Sequence, residues 1–417
     1  MKKQPQSEKI TDYPVVISGG GLVGASLAVA LGQAGIRVAV IEAREPETAR
    51  LSHYDERTIA LAQGSRHILS GLGIWPALSA AVCPIKTIHV SERGHFGFTR
   101  LRHDQEKVEA LGYVAPAHAI AAALHERLAD LDTVDFLAPA DVVDLAFPEE
   151  ADPPVMLDVD VSGYMEKIRA ELLVAADGAQ SSVRDRLSIE TAEHDYGQTA
   201  IVTNLTPENP HKHIAYERFT ETGPMALLPM NDNRCGLVWT LPSEAVDDVL
   251  ALDDAAFLAR VQERFGYRLG RFLKTGQRIS FPLRMIKASE SIRPRLALIG
   301  NAMHTLHPVA GQGFNLGLRD VAALAEVIVD ARKAGENIGD IEVLQRYQDW
   351  RRRDQSRVLK FTDGLVRLFA MPYPPLRWLR NGGMVAMDVL PPAKRWFGKL
   401  TMGRAGRLPR LARGLRL

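Results

Sequence analysis

The feature that most constrains this 417-residue chain is the triplet Gly19-x-Gly21-x-x-Gly24, which directly follows the β-rich run Tyr13–Ser18. An uncharged, alanine-rich stretch comes next, then a second apolar run, Arg37–Ile41, that stops at Glu42. Strand, glycine turn, helix and strand in about thirty residues make a β-α-β unit. Gly19 permits the tight turn, Gly21 lets backbone approach a pyrophosphate, and Gly24 lets the helix lie close to the strand. The helix N-terminus then stabilises phosphate charge. Glu42 is placed to accept hydrogen bonds from ribose hydroxyls. The motif predicts a dinucleotide, without separating FAD from NAD. The uncharged stretch Leu22–Gly35, with Lys2 and Lys3 upstream, also has the look of a signal-peptide core; the glycines before it and the lack of a cleavage pattern favour the helix.

Two further elements sit at the carboxyl ends of predicted strands, where open α/β sheets bind ligands. Asp177-Gly178-Ala179-Gln180-Ser181-Ser182-Val183-Arg184 follows the strand Leu172–Ala176. Gly300-Asn301-Ala302-Met303-His304 follows Leu296–Ile299 and leads into His307-Pro308-Val309-Ala310-Gly311-Gln312-Gly313-Phe314-Asn315-Leu316-Gly317.

Elsewhere Leu61–Leu72 and Ala119–Leu128 read as helices, and the alternating run Val155–Val161 as a strand. Between about 198 and 283 short β-type runs separated by Pro, Gly and Asn predict an inserted antiparallel sheet. The expected fold class is α/β: a Rossmann-like domain from discontinuous segments, an interleaved antiparallel-sheet domain and a helical C-terminus. The segments are 1–80, 105–185 and 285–335 for the first, 81–104 and 186–284 for the second, and 336–417 for the third.

Charge and cysteine content exclude other classes. Lys+Arg total 51 and Asp+Glu 50, which argues against a nucleic-acid-coating protein. Cys83 and Cys235 cannot form a disulfide framework or a CxxC metal site, and read as buried hydrophobes. His304 and His307 form an H-x-x-H pair, but Pro308 and the glycines place it in a loop without a third ligand, so no metal is expected.

The three glycine-bearing motifs resemble those of the class A flavoprotein aromatic hydroxylases, the para-hydroxybenzoate hydroxylase type. The run His307–Gly317 is similar, more narrowly, to the ubiquinone-biosynthesis hydroxylases. Thr58–Leu61, Val90–His95, Glu217-Arg218-Phe219 and Gly223–Met230 strengthen that resemblance. It covers nearly the whole chain and weakens in the last thirty or so residues.

The resemblance implies an FAD-dependent monooxygenase that hydroxylates a 2-polyprenyl-6-methoxyphenol at C1 through a flavin C4a-hydroperoxide, with NAD(P)H as transient reductant and dioxygen as co-substrate. By motif, the FAD-binding residues would be Gly19, Gly21, Gly24, Glu42, Arg57, Asp177, Gly178, Asn301, Pro308, Gly311, Gln312, Gly313, Phe314 and Asn315. Pro308, Gly313 and Phe314 would lie beside the reacting flavin. Two positions depart from the pattern. Asn301 stands where relatives usually carry Asp; it keeps an acceptor oxygen but loses the charge. Ala115–His118 stands where many have an acidic-Asn-Arg run, leaving His118 either to serve the pyrophosphate or to cap the Ala119 helix. Arg218 and Phe219 either line the substrate cavity or are ordinary strand residues. No base for the phenol is identifiable. A flavin-linked prenyl-chain reductase and a non-catalytic prenyl-lipid carrier are the alternatives on the same fold.

After Pro392 the chain carries eight Lys or Arg and no Asp or Glu, interleaved with apolar residues. This segment either contacts an anionic membrane surface or another ubiquinone-biosynthesis protein, or packs on the body as a helix. The expected setting is cytoplasmic, peripheral at the inner membrane.

Overall fold

The computed structural model describes residues 10–45, 57–147, 153–306, 311–370 and 374–417. Its largest parallel element is an eight-stranded sheet. Five strands run parallel in the order Leu296–Leu298, Tyr164–Ala175, Ile10–Ser18, Val38–Ile41 and Val134–Leu137. Both faces are covered, which explains the unbroken apolar runs: Val15, Val16 and Ile17 are fully buried. Helix Leu22–Gln33 packs on one face and is buried on almost every side. A helix apolar all round belongs in a core, and burying Leu27 or Leu31 contributes about 1.5–3 kcal/mol each.

The second sheet has nine strands. Its order is His304–Thr305, Ile279–Ala288, Thr191–Pro207, Arg234–Pro242, Gly223–Met230, Ile214–Thr220, Thr87–Glu92 and Phe98–Arg102, with Phe272–Thr275 also on Thr191–Pro207. Alternation divides its residues between two faces. Cys235, Leu237 and Trp239 pack on helix Asp254–Phe265. That helix is capped by Asp253, whose carboxylate accepts from the Ala256 amide at 2.7 Å, and ends at Gly266 (φ 87°). Val238, Thr240, Ala226 and Glu217 face the other way, into a cavity.

Two expectations are corrected. The pairing is not wholly antiparallel: Ile214–Thr220 runs parallel to Thr87–Glu92. These strands come from distant segments, so no hairpin fixes their direction. The helix expected from Leu61 begins at Gln63, because Leu61 and Ala62 end the strand Thr58–Ala62 paired with Gly112–Pro116.

Helices Ile341–Ala370, Pro374–Val389 and Pro391–Thr401 follow. Beyond them the basic segment packs on the body. Met402, Leu411 and Ala412 are buried, Arg407 lies over the Trp350 ring at 4.1 Å, and Arg410 pairs with Asp330 at 2.5 Å. Among the described residues no helix is long and apolar enough to cross a membrane.

Candidate active site

The glycine turn behaves as its spacing requires. Gly19 has φ 100°, and a Cβ there would lie 2.6 Å from the Ala176 carbonyl oxygen. A Cβ on Gly24 would lie 1.9 Å from the Gly19 oxygen, whereas nothing lies within 4 Å of one on Gly21. Gly21 begins helix Leu22–Gln33 with no side-chain cap, so its first amides are free for a ligand. Glu42 accepts from the Gly20 amide at 2.7 Å and from the Arg44 amide at 3.1 Å, which fixes its carboxylate at the end of the second strand. This cradle fits the ADP half of FAD.

The second and third motifs are tied together by Arg184. Buried, it donates to the Ala179 carbonyl at 2.5 Å and to the Ala302 carbonyl at 2.7 Å. Asp177 accepts from the Val183 amide at 3.1 Å through one oxygen; its other oxygen is buried without a partner. Gly178 is left-handed (φ 90°) with open space at its missing Cβ. A buried acceptor beside an open glycine is polar capacity that a bound dinucleotide would use.

Gly311 adopts φ 58° and begins helix Gln312–Lys333. Asn315 holds this loop. Its Oδ1 accepts from Ala62 N at 2.7 Å and Ser65 Oγ at 2.6 Å, and its Nδ2 donates to the carbonyls of Ala60 at 2.8 Å and Gly311 at 2.6 Å. The side-chain amide expected to bind cofactor is thus fully engaged by protein, so Asn315 positions the loop. Gly313 has open space above it.

Gly311 to Asn315, with Asn301 and Thr305, form one end of a cavity of about 630 Å³. The second sheet contributes Val90, Thr99, Glu217, Ala226 and Val238, and the C-terminal helices contribute Leu365, Phe369, Met384 and Met387. Among the described residues the charged lining groups are Glu217 and Arg380, and Arg380 donates to Glu92 at 2.7 Å. Burial pushes the Glu217 carboxyl up to about 7.

Other expectations resolve individually. Phe219 lines the cavity and stacks on Phe369. Arg218, next to it on the strand, lies in the row of the opposite sheet face. Arg57 is exposed at the start of its strand, where its carbonyl accepts from Ala117 N at 2.8 Å. His118 is not a cap, since helix Ala117–Ala129 starts before it and Pro116 holds the cap position. Pro308 and His307 lie outside the described residues. Cys83 and Cys235 are buried, and burial pushes their thiols up to about 11 and about 12. Among the described residues no group of three His, Cys, Asp or Glu is arranged to hold a metal.

Sequence reasoning missed a buried charge cluster behind the loop. Asp320 accepts from Arg351 Nε at 2.7 Å and lies 3.1 Å from His304 Nε2; Arg351 and Arg319 both pair with Asp354. Burial alone would raise the Asp320 carboxyl, but Arg351 and His304 outweigh it and hold it well below the usual carboxylate range. A buried Asp on an otherwise apolar helix stripe was the available signal.

A dinucleotide cradle on a parallel sheet, joined through one loop to an apolar cavity under a second sheet, defines an FAD-dependent oxidoreductase of the aromatic-hydroxylase fold. The fold of p-nitrophenol 4-monooxygenase PnpA from Pseudomonas putida superimposes with a TM-score of 0.79 at 18% identity, covering 96% of this chain and 100% of that one. The chain is 38% identical over 415 residues to ubiquinone hydroxylase UbiL of Rhodospirillum rubrum, covering 99% and 94% of the two chains. It is 34% identical over 402 residues to 3-demethoxyubiquinol 3-hydroxylase of Escherichia coli, covering 94% and 100%. The profile of the FAD binding domain family matches residues 12–362. The chain belongs to this family and is an FAD-dependent monooxygenase.

Proposed function

We propose that this monooxygenase hydroxylates a polyprenylated phenol in ubiquinone biosynthesis, at C1 of a 2-polyprenyl-6-methoxyphenol. The carrying observation is the cavity of about 630 Å³, mostly apolar, lined by the Gly311–Asn315 loop and by the C-terminal helices. A ring placed at the loop would leave its prenyl chain among Phe369, Met384 and Met387.

FAD, when bound, supplies reduction by NAD(P)H and activation of dioxygen. The residues around it have separate tasks. Gly21 and the first turn of helix Leu22–Gln33 would hold the pyrophosphate, and Glu42 the ribose. The N-terminal amides of helix Gln312–Lys333, started by Gly311, would stabilise negative charge on the reduced ring. The apolar walls exclude water from the reacting atoms.

The same C-terminal helices carry exposed Trp378, Leu379, Val389 and Leu390, and Phe96 lies 6.2 Å from the Trp378 ring. We assign this patch, with the exposed Arg395 and Lys399 on the helix that follows it, to contact with an anionic bilayer from which the substrate enters.

Purified protein reconstituted with FAD, NADPH and a short-chain 2-prenyl-6-methoxyphenol under labelled dioxygen should give a product carrying one labelled oxygen at C1. Ring positions need separating, because a relative is named a 3-hydroxylase. Unlabelled product with a saturated prenyl bond would replace this reading with the reductase.

A further inference from the structure

We infer that Glu217 is the base that takes the proton of the phenol, which the strand registers place in the substrate cavity. The inference rests on the phenol substrate proposed above. Directly opposed residues of neighbouring strands share a face. The pairings Thr99↔Val90, Val90↔Glu217, Glu217↔Ala226 and Ala226↔Val238 therefore set five side chains in one row across the second sheet. All five line the cavity. Thr99 is 3% exposed and its hydroxyl is buried without a partner, so the row carries two polar groups in an apolar wall. A buried hydroxyl left unpaired costs about 1–3 kcal/mol, and a ligand oxygen at this row would satisfy it.

Among the described residues the other charges on this face beside the row are Glu92 and Arg380, which pair with each other. His89, Arg100 and Arg218 belong to the rows of the opposite face, where Arg268 also contacts His89 at 3.0 Å. Ile341–Ala370 presents Phe361, Leu365 and Phe369, and the cofactor loop presents Gln312 and Phe314. Pro374–Val389 presents Arg380, already paired with Glu92 of the neighbouring strand. Without a counter-ion, the Glu217 carboxyl is displaced upward to about 7, into the range where a carboxylate exchanges protons near neutral pH.

The step balances. The phenol O–H bond breaks and its proton passes to a Glu217 oxygen. The electron pair stays on the phenolic oxygen, conjugated with the ring carbon that receives oxygen from O2. NAD(P)H supplies the two electrons, one atom of O2 becomes the new ring hydroxyl, and the other leaves as water, which takes the hydrogen that the ring carbon sheds as a proton. The phenolic oxygen then recovers its own proton from Glu217 and the carboxylate is regenerated. A more electron-rich ring attacks oxygen faster, so the base governs product formation rather than cofactor reduction.

The test compares holoenzyme with Glu217→Gln and Glu217→Asp. Flavin content and thermal stability should be unchanged in Glu217→Gln, which removes only a buried charge. Product formed per NADPH consumed should fall roughly tenfold or more, with hydrogen peroxide appearing in its place. The wild-type rise in product yield through pH about 7 should flatten. Without turnover, oxidised wild-type enzyme should bind the prenylphenol more tightly than its O-methyl ether, and Glu217→Gln should lose that preference. Should Glu217→Gln not hold FAD, Glu217→Asp must show partial coupling and a displaced pH profile. Full coupling with an unchanged profile in whichever variant holds FAD overturns the assignment. Absence of hydroxylated product from the wild type instead overturns the substrate reading beneath it.

Discussion

Arg184 donates to the carbonyl of Ala302 at 2.7 Å across 118 residues of sequence. Its second donor holds Ala179, so one guanidinium fixes the spacing between two of the three cofactor motifs. Arg184→Met should leave one buried and one partly buried carbonyl unpaired and cost about 2–4 kcal/mol. Arg184→Lys cannot reach both carbonyls in a fork and should recover only part of that. Thermal denaturation and bound-flavin absorbance read both effects; a flavin content equal to wild type in Arg184→Met would refute the coupling.

Gly21 and Gly24 should fail differently. Gly24→Ala drives a methyl to 1.9 Å from the Gly19 oxygen and should lower stability by about 1–3 kcal/mol or more, with loss of flavin. Gly21→Ala meets nothing within 4 Å, so it should fold normally and lose only FAD affinity. Melting temperature against FAD dissociation constant separates the two.

Asn315→Ala removes four hydrogen bonds at once. At about 1 kcal/mol net each, the cost is about 4 kcal/mol, borne locally by the Gly311 loop. Hydrogen exchange at Ala62 and the loop should accelerate before global unfolding does.

Asp320 makes stability depend on acid pH in a defined direction. Its folded-state pKa is depressed, so its contribution is fully present above the unfolded value of about 3.9. It is lost as pH falls below that toward the folded value. Asp320→Asn should cost about 1–3 kcal/mol at neutral pH, because Arg351 loses one of its two carboxylates and keeps Asp354. The gap between wild type and variant should narrow in melts recorded at progressively lower pH below about 4. A gap that stays constant there would sink the argument.

The fold was legible where spacing alone dictates geometry. Gly19, Gly21 and Gly24 specify a turn that few other residues satisfy, and Val15 to Ile17 announce a strand buried on both faces. The second sheet showed its strands but not its parallel pair, because strand direction depends on connections running through the other domain. Asn315 was found as part of a motif, yet its work is internal: the Ala62 and Ser65 groups it serves lie some 250 residues away. Glu217 was visible only as a letter in a motif. Its isolation depends on what the neighbouring strands and the C-terminal helices leave uncharged, which no local pattern encodes. Part of the basic terminus told a similar story, Arg407 and Arg410 being answered by Trp350, Glu326 and Asp330 from earlier helices.

The strand Leu296–Leu298 belongs to the parallel sheet and His304–Thr305 to the substrate sheet. The chain therefore steps from one sheet to the other through Gly300, Asn301 and Ala302, the last of these gripped by Arg184. It also crosses after Ala175 and after Ala288, so this turn is one of several links between the sheets. Asn301 of that turn lines the cavity, so the grip of Arg184 on Ala302 lies one residue from the substrate space.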